Sequence, residues 1–237
     1  VGITGTQKTG RIARMVAWLA HISGKHVGLA CSEGLYLDGR QVEAKDCAHW
    51  DAGQRLLINR SVQAAVFENG SKTILAEGLA YDKCSVGVVT DVGWQEELSE
   101  FDILDAEQAY KVARCQVDVV LPNGTAVLNS ADPQVVEMAE LCDGSVIFYG
   151  MDPKSPTMSR HRDAGERVVY VRDDQIVLSH GTQDIAMLPL SSLKPAKASQ
   201  PEMVMAAVAA AWALNIPPEL IGAGLRTFES NPRKTPY

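Results

Sequence analysis

The chemistry most legible in this chain lies in its first eleven residues, Val1-Gly2-Ile3-Thr4-Gly5-Thr6-Gln7-Lys8-Thr9-Gly10-Arg11. Val1 to Ile3 reads as the end of a strand, and a glycine-containing turn then carries lysine and threonine into a helical pattern. Strand, glycine turn and helix N-terminus form a geometry that holds phosphate. Backbone N–H groups and the helix dipole cradle the anion, while lysine and a hydroxyl serve phosphate and magnesium. The general pattern G-x-x-x-x-G-K-[ST] is absent, so on these residues alone a plain strand–turn–helix junction carries more weight. A chain that starts inside a core strand also reads as a piece of a longer polypeptide.

Few other residues present themselves for chemistry. His49 and Trp50, beside Asp46 and Asp51, are candidates to line a cleft, although surface residues of this kind are commoner. Cys115 has no histidine near it in sequence, and His161-Arg162-Asp163 reads as a solvated charged stretch. Met203, Met205 and Trp212 recur at helical spacing and read as core.

The elements that must position the loop follow from periodicity. Ile12, Met15, Val16 and Leu19 make one apolar face of a helix from Gly10 to Ile22, which Gly24 ends. His26 to Cys31 is a short apolar strand, and Asp38-Gly39 gives a hairpin turn. A helix is expected over 51–59, starting at the acidic Asp51. Ala64 to Phe67 and Val86 to Val89 are uninterrupted apolar runs, as expected of central strands covered on both faces. Helical stretches near 104–112 and 132–141 alternate with strands at Ala126 to Leu128 and Val146 to Tyr149. Strand and helix in alternation predict βαβ units and a mainly parallel sheet flanked by helices. Beyond Pro156, Arg167 to Val171, Gln175 to Leu178 and Ile185 to Leu188 predict an antiparallel meander. An alanine-rich helix (202–214) and a Pro-started helix (218–227) close the chain, and this last third is expected on the sheet edge. Residues 1–237 read as one α/β core domain with no internal repeat or linker.

With 237 residues, 46% hydrophobic and 22% charged, the composition is that of a soluble globular chain. A net charge of −7 without a Lys/Arg stripe argues against a nucleic-acid partner. Five widely spaced cysteines form no C-x-x-C pair, and neither a zinc site nor a disulfide framework is expected. No run approaches the length of a membrane span and no signal peptide is visible, so a cytoplasmic protein with no membrane partner is expected.

The opening loop is followed by Gly34-Leu35-Tyr36-Leu37-Asp38-Gly39-Arg40, by Ala65-Val66-Phe67-Glu68 and by Ile74-Leu75-Ala76-Glu77-Gly78-Leu79-Ala80-Tyr81-Asp82-Lys83-Cys84. Then come Val86-Gly87-Val88-Val89-Thr90-Asp91-Val92, Ala126-Val127-Leu128-Asn129 and Ala210-Ala211-Trp212-Ala213-Leu214. In order and spacing these blocks resemble, from end to end, the Mur-ligase-like half of cyanophycin synthetases. The resemblance implies a P-loop Mur-ligase central-domain fold. It also implies ATP and Mg2+ as cofactors, with an acyl phosphate formed on a peptide carboxylate and arginine joined to an aspartate side chain. Partners implied are N-terminal and ATP-grasp domains of the same polypeptide, a homo-oligomer and a cyanophycin-type polymer. The stretch Asn231 to Tyr237 corresponds to the hinge before the family's C-terminal lid domain, which lies outside residues 1–237.

The resemblance places the remnant of a nucleotide site on Thr4, Gly5, Thr6, Lys8, Thr9, Asn129 and Asp132, and a magnesium ligand on Glu68. The family loop reads Gly-Thr-Asn-Gly-Lys-Thr-Thr, and Ala13-Arg14 fixes an ungapped register. Gln7 then takes the Asn place, Lys8 the Gly place and Thr9 the Lys place, while Gly10 and Arg11 replace both hydroxyl residues. The arginine expected after Glu68 is missing from Asn69-Gly70-Ser71-Lys72-Thr73. The histidine expected before leucine is replaced within Gln95-Glu96-Glu97. The expected lysine falls near Lys111 to Arg114, with Ala113 in strict register, and Asn129-Ser130-Ala131-Asp132-Pro133 lacks one acid. Five changes in elements that touch nucleotide or metal, beside intact apolar strands, imply a fold kept and a catalytic activity lost. The expected reading is therefore a structural pseudo-ligase module, like the degenerate half of enzymes that polymerise β-aspartyl-arginine dipeptides. The alternatives are a working ATP-dependent amide ligase adding arginine, and a nucleotide-independent module that holds polymer.

Overall fold

Short apolar runs form strands and three–four-spaced runs form helices because each thereby buries its apolar face. The computed structural model describes residues 1–94, 96–198, 200–228 and 237. Its first half runs β1 (Gly2–Thr4), α1 (Thr9–Ile22), β2 (Val27–Cys31), β3 (Gly34–Leu37), β4 (Arg40–Glu43), α2 (Trp50–Leu57), β5 (Ala64–Glu68) and α3 (Ser71–Glu77). Then follow β6 (Cys84–Val89), α4 (Ala106–Asp118), β7 (Val120–Asn129), α5 (Pro133–Glu137), β8 (Ser145–Gly150) and α6 (Pro156–Asp163). The chain continues through β9 (Arg167–Arg172), β10 (Gln175–His180), β11 (Gln183–Pro189), α7 (Pro195–Ala198), α8 (Pro201–Ala213) and α9 (Pro218–Thr227).

Among the described residues these strands form one sheet in the order β11-β10-β9-β8-β7-β6-β1-β5-β2-β3-β4. From β2 to β9 neighbours are parallel, and the antiparallel hairpins β3–β4 and β10–β11 extend the two ends. The apolar runs at Ala64 and Val86 become β5 and β6, the strands on either side of β1. The C-terminal ends of β1, β5, β6 and β7 therefore share one edge, where an open parallel sheet places its ligands. Asp38 and Gly39 both take positive φ (46° and 81°), as the two-residue hairpin turn requires.

Helices cover both faces. Ile12, Met15, Val16 and Leu19 of α1 are fully buried with the alanines of α8 (Ala206 to Ala211), whose small side chains let α8 lie close to α1. Val117 of α4, Val135 of α5 and Met158 of α6 fill the opposite face.

The structure corrects several expectations. α8 and α9 pack on α1, and α8 lies over β6 to β9 rather than at the sheet edge; only the β9–β11 meander extends that edge. Trp212 is only half-buried, at the rim, with the Arg167 guanidinium 5.3 Å from its ring centroid. α2 starts at Trp50, capped by His49, whose Nδ1 accepts from the Ala52 N–H, so Asp51 is not its first residue. The stretch 161–163 is not fully solvated but belongs to α6. His161 is half-buried, its edge against Phe148 (4.8 Å) and a ring nitrogen 3.1 Å from the Val146 carbonyl; burial holds its pKa below the ordinary value. All five cysteines are free, and three are buried. Burial pushes the Cys31 thiol up to about 12, so it stays protonated and inert near neutrality.

Candidate functional site

The loop after β1 is held by close approach and by one strained residue. Thr4 is fully buried at the end of β1. A Cβ on Gly5 would lie 1.8 Å from the Thr90 hydroxyl, so only glycine passes there. Lys8 caps α1 in the left-handed region (φ 61°), a conformation that favours glycine, and the helix begins at Thr9. Its ammonium thus departs from the turn before the helix and not from the first helical residue.

On one side of the loop stands Glu68, the last residue of β5. Its Oε1 accepts from the Thr9 hydroxyl at 2.7 Å, and its Oε2 from the Ser32 N–H and hydroxyl at 2.7 and 2.8 Å. A Cβ added at Gly10 would lie 2.8 Å from Glu68 Oε2 and 3.1 Å from Ser32 Oγ. Position 10 therefore points at this carboxylate, and in the absence of a side chain there Ser32 and Glu68 close on each other. The crevice between Glu68, His49 and Trp50 holds about 10 Å3, room for one water at most.

On the other side stands Asp91, just past β6. Its carboxylate accepts from the Thr6 N–H (3.1 and 3.2 Å), the Thr6 hydroxyl and the Thr90 hydroxyl (2.6 Å). An internal anion thus occupies a loop amide. Asn129 donates to the Thr90 carbonyl (2.9 Å) and accepts from the Ala131 N–H (3.0 Å). Asp132 caps α5, accepting from the Gln134 N–H (2.9 Å), and accepts from the Val92 N–H (2.8 Å) through its other oxygen. Both residues pin the ends of β6 and β7. Beside them opens a cleft of about 260 Å3, lined by Lys8, Asp91, Asn129, Tyr149 and Glu202.

The structure brings Thr4, Gly5, Thr6, Lys8, Thr9, Glu68, Asn129 and Asp132 to one end of the sheet. Other expected positions lie elsewhere. Ala113 is buried in α4, Lys111 is exposed and pairs with Glu107 (3.3 Å), and Glu96 and Glu97 lie on an exposed 3-10 turn. Asn69 is sealed in a buried network with Tyr81 and Gln116, both at 2.8 Å, so it offers nothing to the cleft. Gln95 and residues 231–236 lie outside the described residues; Tyr237 has a buried ring, its hydroxyl donating to the Val27 carbonyl (3.2 Å). Reasoning from sequence missed Ser32, Asp91, Tyr149 and Glu202. A polar residue following an apolar strand is the one signal that Asp91 offered.

The sheet order and the loop at the strand ends give the fold found in the core of solved Mur-type ligases. Over 97% of the chain the fold matches a UDP-N-acetylmuramoyl-L-alanyl-D-glutamate–2,6-diaminopimelate ligase (TM-score 0.72, 13% identity, 46% of that chain). It also matches a pseudomurein peptide ligase type C from Methanothermus fervidus over 97% of the chain (TM-score 0.62, 17% identity, 49% of that chain). E. coli FolC, solved with DHPP and ADP, matches over 95% of the chain (TM-score 0.61, 15% identity, 56% of that chain). In sequence the whole chain is similar to part of the cyanophycin synthetases of Synechocystis sp. (31% identity over 244 residues) and Crocosphaera subtropica (31% over 243). It spans 27% of the length of each of these relatives. No family model matches the chain. Among the described residues no helix is long and apolar enough to cross a membrane.

Proposed function

We propose that this chain is the Mur-ligase-like core of a cyanophycin-synthetase-type ligase, and that its role there is structural. Catalysis would then fall to an ATP-grasp domain of the same cytoplasmic, homo-oligomeric polypeptide, acting on a cyanophycin-type polymer. The observation that carries this reading is the closed corner at Glu68. Magnesium needs near-octahedral oxygen ligands about 2.1 Å away and keeps several waters. Here Thr9 and Ser32 already donate three hydrogen bonds to the Glu68 carboxylate, and position 10 supplies no hydroxyl to face a metal. The residues present do not fit magnesium, and Lys8 leaves from the wrong side of the helix start to stand in for a phosphate-binding lysine.

Calorimetric titration of the 237-residue chain with Mg2+ and a non-hydrolysable ATP analogue tests this. No saturation is expected up to about 1 mM, whereas micromolar binding would overturn the reading.

A further inference from the structure

We infer that Asp91 is a built-in occupant of the loop after β1, an autoinhibitory contact in which a tethered carboxylate stands where a free inorganic anion would sit. The inference rests on the structural reading above and adds a cause separate from the closed corner at Glu68. Asp91 lies 85 residues along the chain from Thr6, yet both its oxygens accept from the Thr6 N–H at 3.2 and 3.1 Å. One oxygen also accepts from the Thr6 hydroxyl, and the other from the Thr90 hydroxyl at 2.6 Å. Converging N–H and O–H donors at a strand–loop–helix junction are what such a loop offers to an anion. Here the anion is supplied by the protein.

The rest of the loop has donors to spare. Among the described residues the N–H groups of residues 7–11 meet no hydrogen-bond acceptor. At the root of the loop the Thr4 hydroxyl is fully buried and also has no partner. Buried polar groups are rarely left so, and unused donors around one seated carboxylate are a surplus that an anion would take up. Space does not exclude one, because Gln7, Lys8 and Asp91 line a cleft of about 260 Å3. What opposes a free anion is Asp91. The incoming group must displace a carboxylate whose tether keeps it at an effective concentration of about millimolar or above. Otherwise it must settle beside that negative charge, and either course weakens binding.

The probe is inorganic pyrophosphate, titrated without magnesium and at matched ionic strength into the 237-residue chain and its Asp91→Ala and Asp91→Asn variants. Alanine removes the acceptor and the charge, whereas asparagine removes the charge alone, since its amide oxygen still accepts from Thr6. Pyrophosphate affinity should rise about tenfold or more in Asp91→Ala and about threefold in Asp91→Asn. Melting gives a second reading. Asp91→Ala should melt below the wild type, and about 10 mM pyrophosphate should raise its Tm more than that of the wild type. If Asp91→Ala does not fold, the comparison of Asp91→Asn with the wild type decides. Equal affinities across the folded proteins, or equal Tm gains, overturn the autoinhibitory contact. That failure spares the structural reading as long as the wild type leaves the Mg-ATP analogue unbound. Micromolar analogue binding by the wild type overturns both.

Discussion

Glu68 ends the strand on one side of β1, and Asp91 follows the strand on the other, so two carboxylates flank the loop at the same end of the sheet. Each accepts a loop threonine hydroxyl, Thr9 for Glu68 and Thr6 for Asp91. Their surroundings differ. At Glu68 a glycine stands where a side chain would meet the carboxylate, and Ser32 has closed in, leaving about 10 Å3. At Asp91 the walls belong to β8 and α8, and the bonds of Asn129 and Asp132 to backbone hold the strand ends in place, leaving about 260 Å3. A gap closes when the missing group is one side chain and a neighbour can rotate into it. It stays open when the walls are secondary structure.

The largest effect that could break this comparison comes from rebuilding the closed corner. Replacing Gln7-Lys8-Thr9-Gly10-Arg11 with Asn-Gly-Lys-Thr-Thr supplies the helix-start lysine and a hydroxyl facing Glu68. ATP-analogue affinity should rise about 100-fold or more, while arginine-dependent ATP turnover stays absent, because a positioned metal and an acceptor amine need residues elsewhere. Turnover after the swap would mean that the other changes are tolerated and the structural reading is wrong. No gain would mean that Ser32 and Glu68 keep the corner shut.

Smaller changes probe each carboxylate. Glu68→Ala strands the Thr9 hydroxyl and both Ser32 donors, and should cost about 2 kcal/mol, read as a Tm drop of about 4–8 °C. Asp91→Asn should cost less, about 1 kcal/mol in urea unfolding. The amide oxygen still accepts from Thr6, and the Thr90 hydroxyl can turn to accept instead of donate. A loss at Asp91 larger than at Glu68 would reverse the order and show that the open side carries the loop.

The sheet was legible because parallel strands covered on both faces leave continuous apolar runs, and Ala64–Phe67 and Val86–Val89 have no other use. α1 was legible from Ile12, Met15, Val16 and Leu19. α6 was not, because its polar sequence 156–163 carries a single buried apolar residue, Met158. The loop could be aligned residue by residue because it is one contiguous run of the chain. Ser32, Tyr149 and Glu202 arrive from a turn, a strand and a helix far along the chain. Tyr149, moreover, reads as one more apolar strand residue. Nothing periodic marks a ring that packs in the core and also borders a cleft.

Ser32→Ala sharpens the contrast with the least disturbance. The substitution removes one donor to Glu68 Oε2 but keeps the Ser32 N–H, which holds the same oxygen at 2.7 Å. The carboxylate also keeps Thr9, so it is left neither unpaired nor free to swing away. The vacated space adjoins a crevice that is already nearly the size of one water, and a water there can donate to Glu68 in place of the hydroxyl. The cost should therefore stay below about 1 kcal/mol, a Tm shift of roughly 2–3 °C. A large loss of stability would show that Ser32, and not the Glu68 carboxylate, organises the closed corner.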